Sequence, residues 1–341
     1  MDSATTAIAE TLTRARSLLV VTHGRPDGDG LGSMAALASG AAAAGKSARL
    51  FVPDAVPKRY DHLFEQPPAV GAEHFADLAD DCDVIVVVDT CALAQLDGIA
   101  EQIQALKDKV VVVDHHATSD DVGRLQWLDT SAAASGVMVV ELLDELGWAI
   151  DARAAEALMT AITTDTGWLR FANTDGRCLR AVARLVDAGV RPDRLYRRIY
   201  QNDRPQRLAL ISRVLNSLEL HCDGRLAVMT VRRADFDATG ARPEETENLV
   251  NEPLRLAAVD TAILLVENAD CIRVSLRSRD DIDVSAVAAR FGGGGHRRAA
   301  GLRAAGDIDH LKARLVAACA EKLGEAAARA PRGRGAGQSG C

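Results

Sequence analysis

The sequence predicts an α/β fold in two domains, and three observations support this prediction. The first 190 or so residues alternate short apolar runs with helical stretches, as in a parallel sheet buried between helices. After about residue 202 the apolar residues recur with a period of two, as in Leu226–Val231, which is typical of strands with one polar face. The length of 341 residues suits two domains of ordinary size.

Three apolar runs of the first domain each end at residues that bind cations well. The predicted strands and the residues that follow them are 17–22 with His23, 83–88 with Asp89, and 109–113 with Asp114-His115-His116. Ligands of open α/β sheets gather at the carboxyl ends of the strands, near the point where the strand order reverses. We therefore expect these side chains to meet at one edge of one sheet. Asp165 follows a helix predicted at 152–163 and is expected to enter from a loop.

Helix patterns and breakers set the remaining elements and the domain limits. Helices are predicted at 31–45, 135–147, 177–188, 195–200 and 207–218, and in the second domain at 285–291 and 308–323. Strands at 226–231, 261–266 and 272–277 give the second domain a mixed or antiparallel sheet. The predicted organisation is a first domain at 1–190, a linker at 191–205 with the boundary near Asn202, a second domain at 206–325 and a disordered tail at 326–341.

Composition narrows the classes of function. The net charge of −8 and the aromatic content of 4% argue against a protein that grips long nucleic acids through many basic contacts or stacked bases. Locally the sign reverses, because residues 271–303 hold seven arginines and three aspartates. A mixed, solvated surface would explain this segment, but we favour a small phosphate-binding patch. No membrane span or signal peptide is predicted, and the scattered cysteines indicate a cytoplasmic protein.

The polar residues at the strand ends favour a centre for two divalent metals. Carboxylates and imidazoles together suit manganese or magnesium, and the set is too large for a single tetrahedral zinc. A lone aspartate at a strand end is more often a helix N-cap than a metal ligand. Because histidines occur beside these aspartates, we favour the interpretation that the aspartates are ligands. Asp27 and Asp29 are separated by one glycine, so they are able to serve different ions. Gly28, Gly30 and Gly32 are predicted to precede the next helix and to allow a tight turn.

At this point the sequence resembles a known family, the DHH phosphoesterases. The matching motifs occur in the family's order, and they are His23-x-x-x-Asp27-x-Asp29, Asp89, Asp114-His115-His116, Thr164-Asp165-Thr166-Gly167 and Phe291-Gly-Gly-Gly-Gly-His296. The resemblance extends over nearly the whole chain. Within the family, the two-domain form is similar to the branch of nano-RNA exonucleases and 3′-phosphoadenosine-5′-phosphate phosphatases.

The resemblance implies a role for each motif residue. One metal, manganese before magnesium, would be held by His23, Asp27 and Asp89. The second would be held by Asp29, Asp89, His115 and Asp165, with Asp89 bridging the two. His116 would face the substrate, and Asp114 would orient His115. In the second domain Arg277, Gly293, Gly294, Gly295 and His296 would bind the substrate. Four successive glycines are not expected in a regular helix or strand, so a loop is predicted there.

The resemblance also implies the substrates. These are short single-stranded RNA, dinucleotides including cyclic ones, and a nucleoside bisphosphate, held in a cleft between a parallel-sheet catalytic domain and a smaller mixed-sheet domain. The alternatives are an inorganic pyrophosphatase of the same family and a nucleotide sensor without catalysis. A homodimer is left open.

Overall fold

The computed structural model describes residues 3–96, 98–117, 119–279 and 282–329. The chain divides into two compact units, Met1–Asn202 and Asp203–Cys341. The division falls inside the predicted linker, but Pro192–Tyr200 of that segment forms a helix of the first unit. Proline at the start of this helix is favourable because its missing N–H is one that an intrahelical bond would not use.

Regular elements occupy most of the first unit. Its helices are α1 Ser3–Arg14, α2 Gly28–Ala43, α3 Phe75–Asp80, α4 Ala100–Ala105, α5 Ser135–Leu146, α6 Ala152–Asp165, α7 Gly176–Asp187 and α8 Pro192–Tyr200. Its strands are β1 Ser17–Val21, β2 Ser47–Val52, β3 Ala69–Val70, β4 Val84–Val88, β5 Val110–Asp114 and β6 Leu125–Leu128. The six strands form one sheet in the order β3-β2-β1-β4-β5-β6, and every pair is parallel.

Helices cover both faces of this sheet, which explains its valine-rich strands. On β4, Val84, Val86 and Val88 pack into the core with α1, α2, α5 and α6, whereas Ile85 and Val87 pack on the opposite side with α3 and α4. Every residue of β4 and β5 is buried. The predicted parallel sheet with helices on both faces is therefore confirmed.

The second unit is built on a mixed sheet. Its elements are α9 Pro205–Asn216, β7 Glu219–His221, β8 Leu226–Val231, α10 Arg233–Thr239, β9 Thr261–Glu267, β10 Ile272–Ser278, α11 Val284–Ala289, β11 Gly294–His296, β12 Ala299–Ala304 and α12 Ile308–Arg329. The strand order is β11-β12-β10-β9-β8-β7. Only the pairing of β8 with β9 is parallel among these strands, so the predicted mixed sheet is confirmed.

Two predictions about the second unit differ from the structure. The glycine segment was predicted as a loop, but Gly294–His296 forms β11 and pairs with β12. Close packing against β12 requires glycine at two positions here. A Cβ on Gly293, just before the strand, would lie 2.3 Å from the carbonyl oxygen of Gly301, and one on Gly295 would lie 2.6 Å from that of Ala299. In the predicted tail, α12 continues to Arg329. The rest of that tail, 330–341, lies outside the described residues.

Candidate metal centre

The candidate centre lies at the carboxyl ends of β1, β4 and β5. The strand order reverses between β1 and β4, which are neighbours in the sheet although β2 and β3 lie between them in sequence. His23 follows β1, Asp89 follows β4, and His115 follows β5. The topology therefore delivers these residues to one place, the crevice where α/β sheets bind ligands.

His23, Asp27 and Asp89 form the first group of side chains. The Nε2 atom of His23 lies 3.7 Å from Oδ1 of Asp27 and 3.5 Å from Oδ2 of Asp89. Burial alone would lower the pKa of His23, but the two carboxylates outweigh it and raise the pKa to about 11. The group thus attracts positive charge, which a proton on His23 supplies when no other cation does.

Asp29, His115 and Asp165 form the second group. The Nε2 atom of His115 lies 3.7 Å from Oδ2 of Asp29 and 3.7 Å from Oδ2 of Asp165. These distances are longer than a hydrogen bond, and this buried nitrogen has no hydrogen-bond partner among the residues that the structure describes. The other ring nitrogen, Nδ1, lies 3.2 Å from the carbonyl oxygen of Ala132. In metal-binding histidines, a hydrogen bond of this kind holds the ring orientation so that the other nitrogen faces the metal.

Asp89 lies between the two groups. Its Oδ2 faces His23, whereas its Oδ1 is 3.6 Å from Nε2 of His115. The side chain is 2% exposed, and Oδ1 also accepts a hydrogen bond of 3.0 Å from the hydroxyl of Ser135. The backbone of Asp89 is left-handed, with φ of +63°, a conformation that aspartate and asparagine tolerate better than most residues. This geometry is that of a carboxylate able to bridge two cations.

Negative charge is concentrated and buried at this place. Asp29 accepts hydrogen bonds of 2.7 and 2.8 Å from the backbone N–H groups of Ser135 and Gly136, at the start of α5. Burial, followed by the charges of Asp89 and Asp165, raises the pKa of Asp29 well above its usual range. Burial also raises the pKa of Asp165 to about 6.

These residues fit divalent metals. Several buried carboxylates without a cation repel each other, and the unpartnered His115 nitrogen points at three of their oxygens from 3.6 to 3.7 Å. Two cations with oxygen and imidazole ligands would satisfy both features. Each group offers three ligand atoms within 4.8 Å of one another.

His116 and Asp114 have a relationship that differs from the predicted one. The buried carboxylate of Asp114 accepts a hydrogen bond of 2.8 Å from Nδ1 of His116, and a second of 3.2 Å from its backbone N–H. The prediction that Asp114 orients His115 was therefore wrong, because Asp114 orients His116 instead. The reason is local, since a carboxylate readily hydrogen-bonds two residues along the chain, whereas His115 turns into the sheet edge.

Asp27 combines two roles that the sequence analysis treated as alternatives. Its Oδ1 accepts from the backbone N–H groups of Asp29 and Gly30 and thus caps α2. The same oxygen faces His23. A cap and a ligand are compatible because a carboxylate oxygen accepts from several directions.

The glycines near Asp27 also differ from expectation, because they lie inside the first turns of α2 and none has a positive φ. Their function is close packing. A Cβ on Gly30 would lie 2.2 Å from the hydroxyl of Thr22, and one on Gly32 would lie 2.3 Å from a backbone carbonyl of α6. The glycines therefore let α2 approach α6 and β1, and this approach brings Asp29 and Asp165 into one group.

Asp165 is the last residue of α6, not a loop residue as predicted. The three residues from Gly167 to Leu169 then all have left-handed φ angles, from +56° to +64°. Trp168 packs edge-on against Tyr196 and Tyr200 of α8, with ring centroids 5.0 and 5.7 Å apart. Strained backbone of this kind concentrates at functional sites. Sequence reasoning missed the support from Trp168 and that from Ser135, since neither residue belongs to a motif.

The predicted substrate residues lie in the second unit. Arg277 is on β10, and its guanidinium donates to the carbonyl oxygen of Leu276. No carboxylate of the described residues forms an ion pair with it, and burial lowers its pKa. Its neighbour across the sheet is Ala299, which also pairs with His296 of β11. The side chain of His296 lies outside the described residues, so only its backbone is placed.

Fold and site together define a two-unit α/β protein with a carboxylate and histidine centre at a sheet switch point. The pattern of the DHH family, N-terminal domain, matches residues 17–162, and that of the DHHA1 domain matches residues 223–324. The chain is 30% identical over 310 residues to the "Bifunctional oligoribonuclease and PAP phosphatase NrnA" of Thermus thermophilus, covering 90% of each chain. It is 25% identical to the Bacillus subtilis protein of the same name, covering 93% of this chain and 99% of that one.

Solved structures agree on the fold. An exopolyphosphatase-related protein from Bacteroides fragilis is 24% identical with a TM-score of 0.90, covering 94% of this chain and 97% of that one. Exonuclease RecJ bound to manganese is 17% identical with a TM-score of 0.52, covering 94% and 95%. This protein therefore belongs to the DHH family, which confirms the resemblance stated from its motifs. Among the described residues, no helix is both long and apolar enough to cross a membrane.

Proposed function

We propose that this protein is a divalent-metal-dependent phosphoesterase that cleaves short RNA oligonucleotides to mononucleotides. We further propose that it removes the 3′-phosphate of 3′-phosphoadenosine 5′-phosphate. The observation that carries the proposal is the pair of ligand groups that share Asp89. The names of the Thermus and Bacillus relatives support the choice of substrates.

The proposed ligands follow the two groups. His23, Asp27 and Asp89 would hold one metal, and Asp29, Asp89, His115 and Asp165 would hold the other. Manganese is favoured over magnesium because two imidazoles take part, and nitrogen ligands suit manganese better. Bound there, the metals would neutralise phosphate oxygens and supply a reactive water at neutral pH.

His116 is the proposed proton donor. The hydrogen bond from Nδ1 to Asp114 is the largest cause of the raised pKa of His116, which reaches about 9. In the metal-free protein His116 therefore carries a proton at neutral pH, and Asp114 fixes which way the ring faces. We propose that Nε2 of His116 donates to the oxygen that leaves the phosphorus atom.

Arg277 and the glycine strand are the proposed contacts to the substrate's far end. A guanidinium without a carboxylate partner is suited to fork a phosphate. In the same place, the N–H groups of Gly293, Gly294 and Gly295, with His296, would approach a nucleotide closely because these glycines have no side chains. The acidic surface and low aromatic content favour substrates that these few contacts hold completely.

The test is a substrate panel measured with manganese and with a chelator. The substrates are a diribonucleotide, a 20-nucleotide RNA, the 3′,5′-bisphosphate, a cyclic dinucleotide and pyrophosphate. We expect manganese-dependent hydrolysis of the diribonucleotide and the bisphosphate, with kcat/KM falling as the RNA lengthens. Activity on pyrophosphate alone would instead favour a pyrophosphatase. Nucleotide binding without hydrolysis of any substrate would favour a sensor.

A further inference from the structure

The second unit contains a cavity of about 560 Å³ that the proposed reaction does not use. It lies where β10 begins and where β9 and β12 end. Its lining includes Arg273, Arg303, Arg233 and Phe236, together with the four carboxylates of Asp237, Glu244, Glu267 and Asp270. The volume is within the range of about 300–1,000 Å³ that is usual for small-molecule sites.

Two of these arginines lie directly opposite each other. Arg273 of β10 and Arg303 of β12 are register partners in an antiparallel pair, so their Cβ atoms are about 5 Å apart. Like charges in this position repel and destabilise a sheet. Neither guanidinium forms an ion pair with a carboxylate of the described residues. Arg273 donates to the hydroxyl of Thr246, and burial lowers its pKa.

Within the described part of the chain, none of the lining carboxylates forms an ion pair with Arg273 or Arg303. Glu267 accepts a hydrogen bond from the backbone N–H of Arg233. Asp237, Glu244 and Asp270 are exposed to solvent. An anion between the two guanidiniums would remove the repulsion, and the exposed carboxylates would accept hydrogen bonds from amino groups of the same ligand.

We propose that this cavity binds a nucleoside monophosphate. Its phosphate would lie between Arg273 and Arg303, where two planar guanidiniums can each fork a phosphate oxygen pair. The base would lie on the half-buried ring of Phe236, with its amino group towards the carboxylates. The ligand class is that of the products of the proposed reaction, so the site would sense them, but the binding chemistry does not depend on that reaction.

This site is separate from the proposed substrate contacts. Arg273 and Arg277 lie four residues apart on one strand, which places their backbones about 13 Å apart. Arg277 does not line the cavity. The arginine-rich segment 271–303 is thus divided between two ends of β10, although the sequence suggested one patch.

The experiment is photolabelling of the full-length protein with 8-azidoadenosine 5′-monophosphate, followed by mapping of labelled peptides. We expect label on peptides that contain Phe236 or residues 268–271, suppressed by AMP and less well by inorganic phosphate. Arg303→Glu should weaken AMP competition about tenfold or more, because it removes charge-assisted hydrogen bonds and adds repulsion. Arg303→Lys keeps the charge but loses the two parallel N–H donors of a guanidinium, so its AMP competition should lie between that of Arg303→Glu and that of the unaltered protein.

Arg255→Glu is the matched control, since it makes the same charge change at an exposed arginine outside the cavity, and labelling should be unchanged. Diribonucleotide hydrolysis by Arg303→Glu should match that of the unaltered protein, which shows that the variant is folded. Equal AMP competition in both glutamate variants, or no label at the cavity, would overturn the proposal. So would suppression by a 20-nucleotide RNA but not by AMP. Failure of the hydrolysis assay in the unaltered protein would instead refute the proposed function.

Discussion

Replacing Asp89 by asparagine should abolish hydrolysis and the stabilisation of the protein by manganese, and it should shift the stability of the metal-free protein in favour of high pH. Asparagine keeps the size, the Oδ1 acceptor for Ser135 and the tolerance for a φ of +63°. Alanine at such an angle would add about 1 kcal/mol of backbone strain, which would confuse the measurement. The substitution therefore removes one buried charge with little other change.

The magnitude follows from the neighbouring carboxylates. The pKa of Asp165 rises from 3.8 to about 6, which at about 1.4 kcal/mol per pKa unit penalises its ionisation by about 3 kcal/mol. Burial is the largest cause, the charge of Asp89 also contributes, and 32% of the Asp165 side chain is exposed to screening solvent. The value of about 3 kcal/mol is therefore an upper limit on the gain through Asp165, with a further gain through Asp29, whose pKa the same charge raises. The opposing loss is the stabilisation of protonated His23, whose pKa Asp89 helps to raise. For a unit of this size, 1 kcal/mol corresponds to about 2–4 °C in Tm.

The assay is thermal unfolding in chelator and in manganese, at pH 8 and pH 5. The charge of Asp89 destabilises ionised Asp165, and this effect is complete only above about pH 6. The same charge stabilises protonated His23, and this effect is no larger at pH 8 than at pH 5. The stability of the variant relative to the unaltered protein should therefore be higher at pH 8 than at pH 5. Manganese should raise the Tm of the unaltered protein and have little effect on the variant. The bridging role would be refuted by a variant whose stability in chelator, relative to the unaltered protein, falls from pH 5 to pH 8. It would also be refuted by a variant that keeps full metal stabilisation and turnover.

Three further predictions follow. Asp114→Asn should lower kcat by about 10- to 100-fold with unchanged manganese content, because it misorients His116 rather than a ligand; loss of metal in a titration would contradict this. Gly32→Ala should destabilise the protein by about 2 kcal/mol or more through its clash with α6, whereas Gly324→Ala, with open space around it, should be neutral or stabilising in urea unfolding. Arg277→Ala should raise KM for a diribonucleotide more than it lowers kcat, since uniform binding is lost; steady-state kinetics with an unchanged KM would oppose this.

The sequence was most informative where chemistry and periodicity coincide. The valine runs of β4 and β5 predicted the parallel sheet because only a strand buried on both faces is apolar at every position. The ordered motifs around His23, Asp89 and His115 identified the family. The proposed metal ligands came from these motifs, and the structure brings all six of them together.

Positions where glycine acts through space were mispredicted. Gly30 and Gly32 were assigned to a turn before α2, and Gly295 to a loop. The sequence shows that glycine is flexible, but not which neighbouring atoms pack against it. Local hydrogen bonding was also misjudged, since Asp114 binds His116 and not His115. In each case the sequence allows several contacts for the residue, and only the folded structure shows which of them forms.

The sequence by itself determined the class of fold, the family and the residue types at the centre, because these depend on local periodicity and on residue chemistry. The tertiary structure alone decided that the two oxygens of Asp89 face different histidines, that Ser135 supports this carboxylate, and that Arg273 opposes Arg303. These facts depend on the register of strands and the approach of helices. Both the register and the helix approach depend on residues that are distant in the chain, so a local sequence pattern does not predict them.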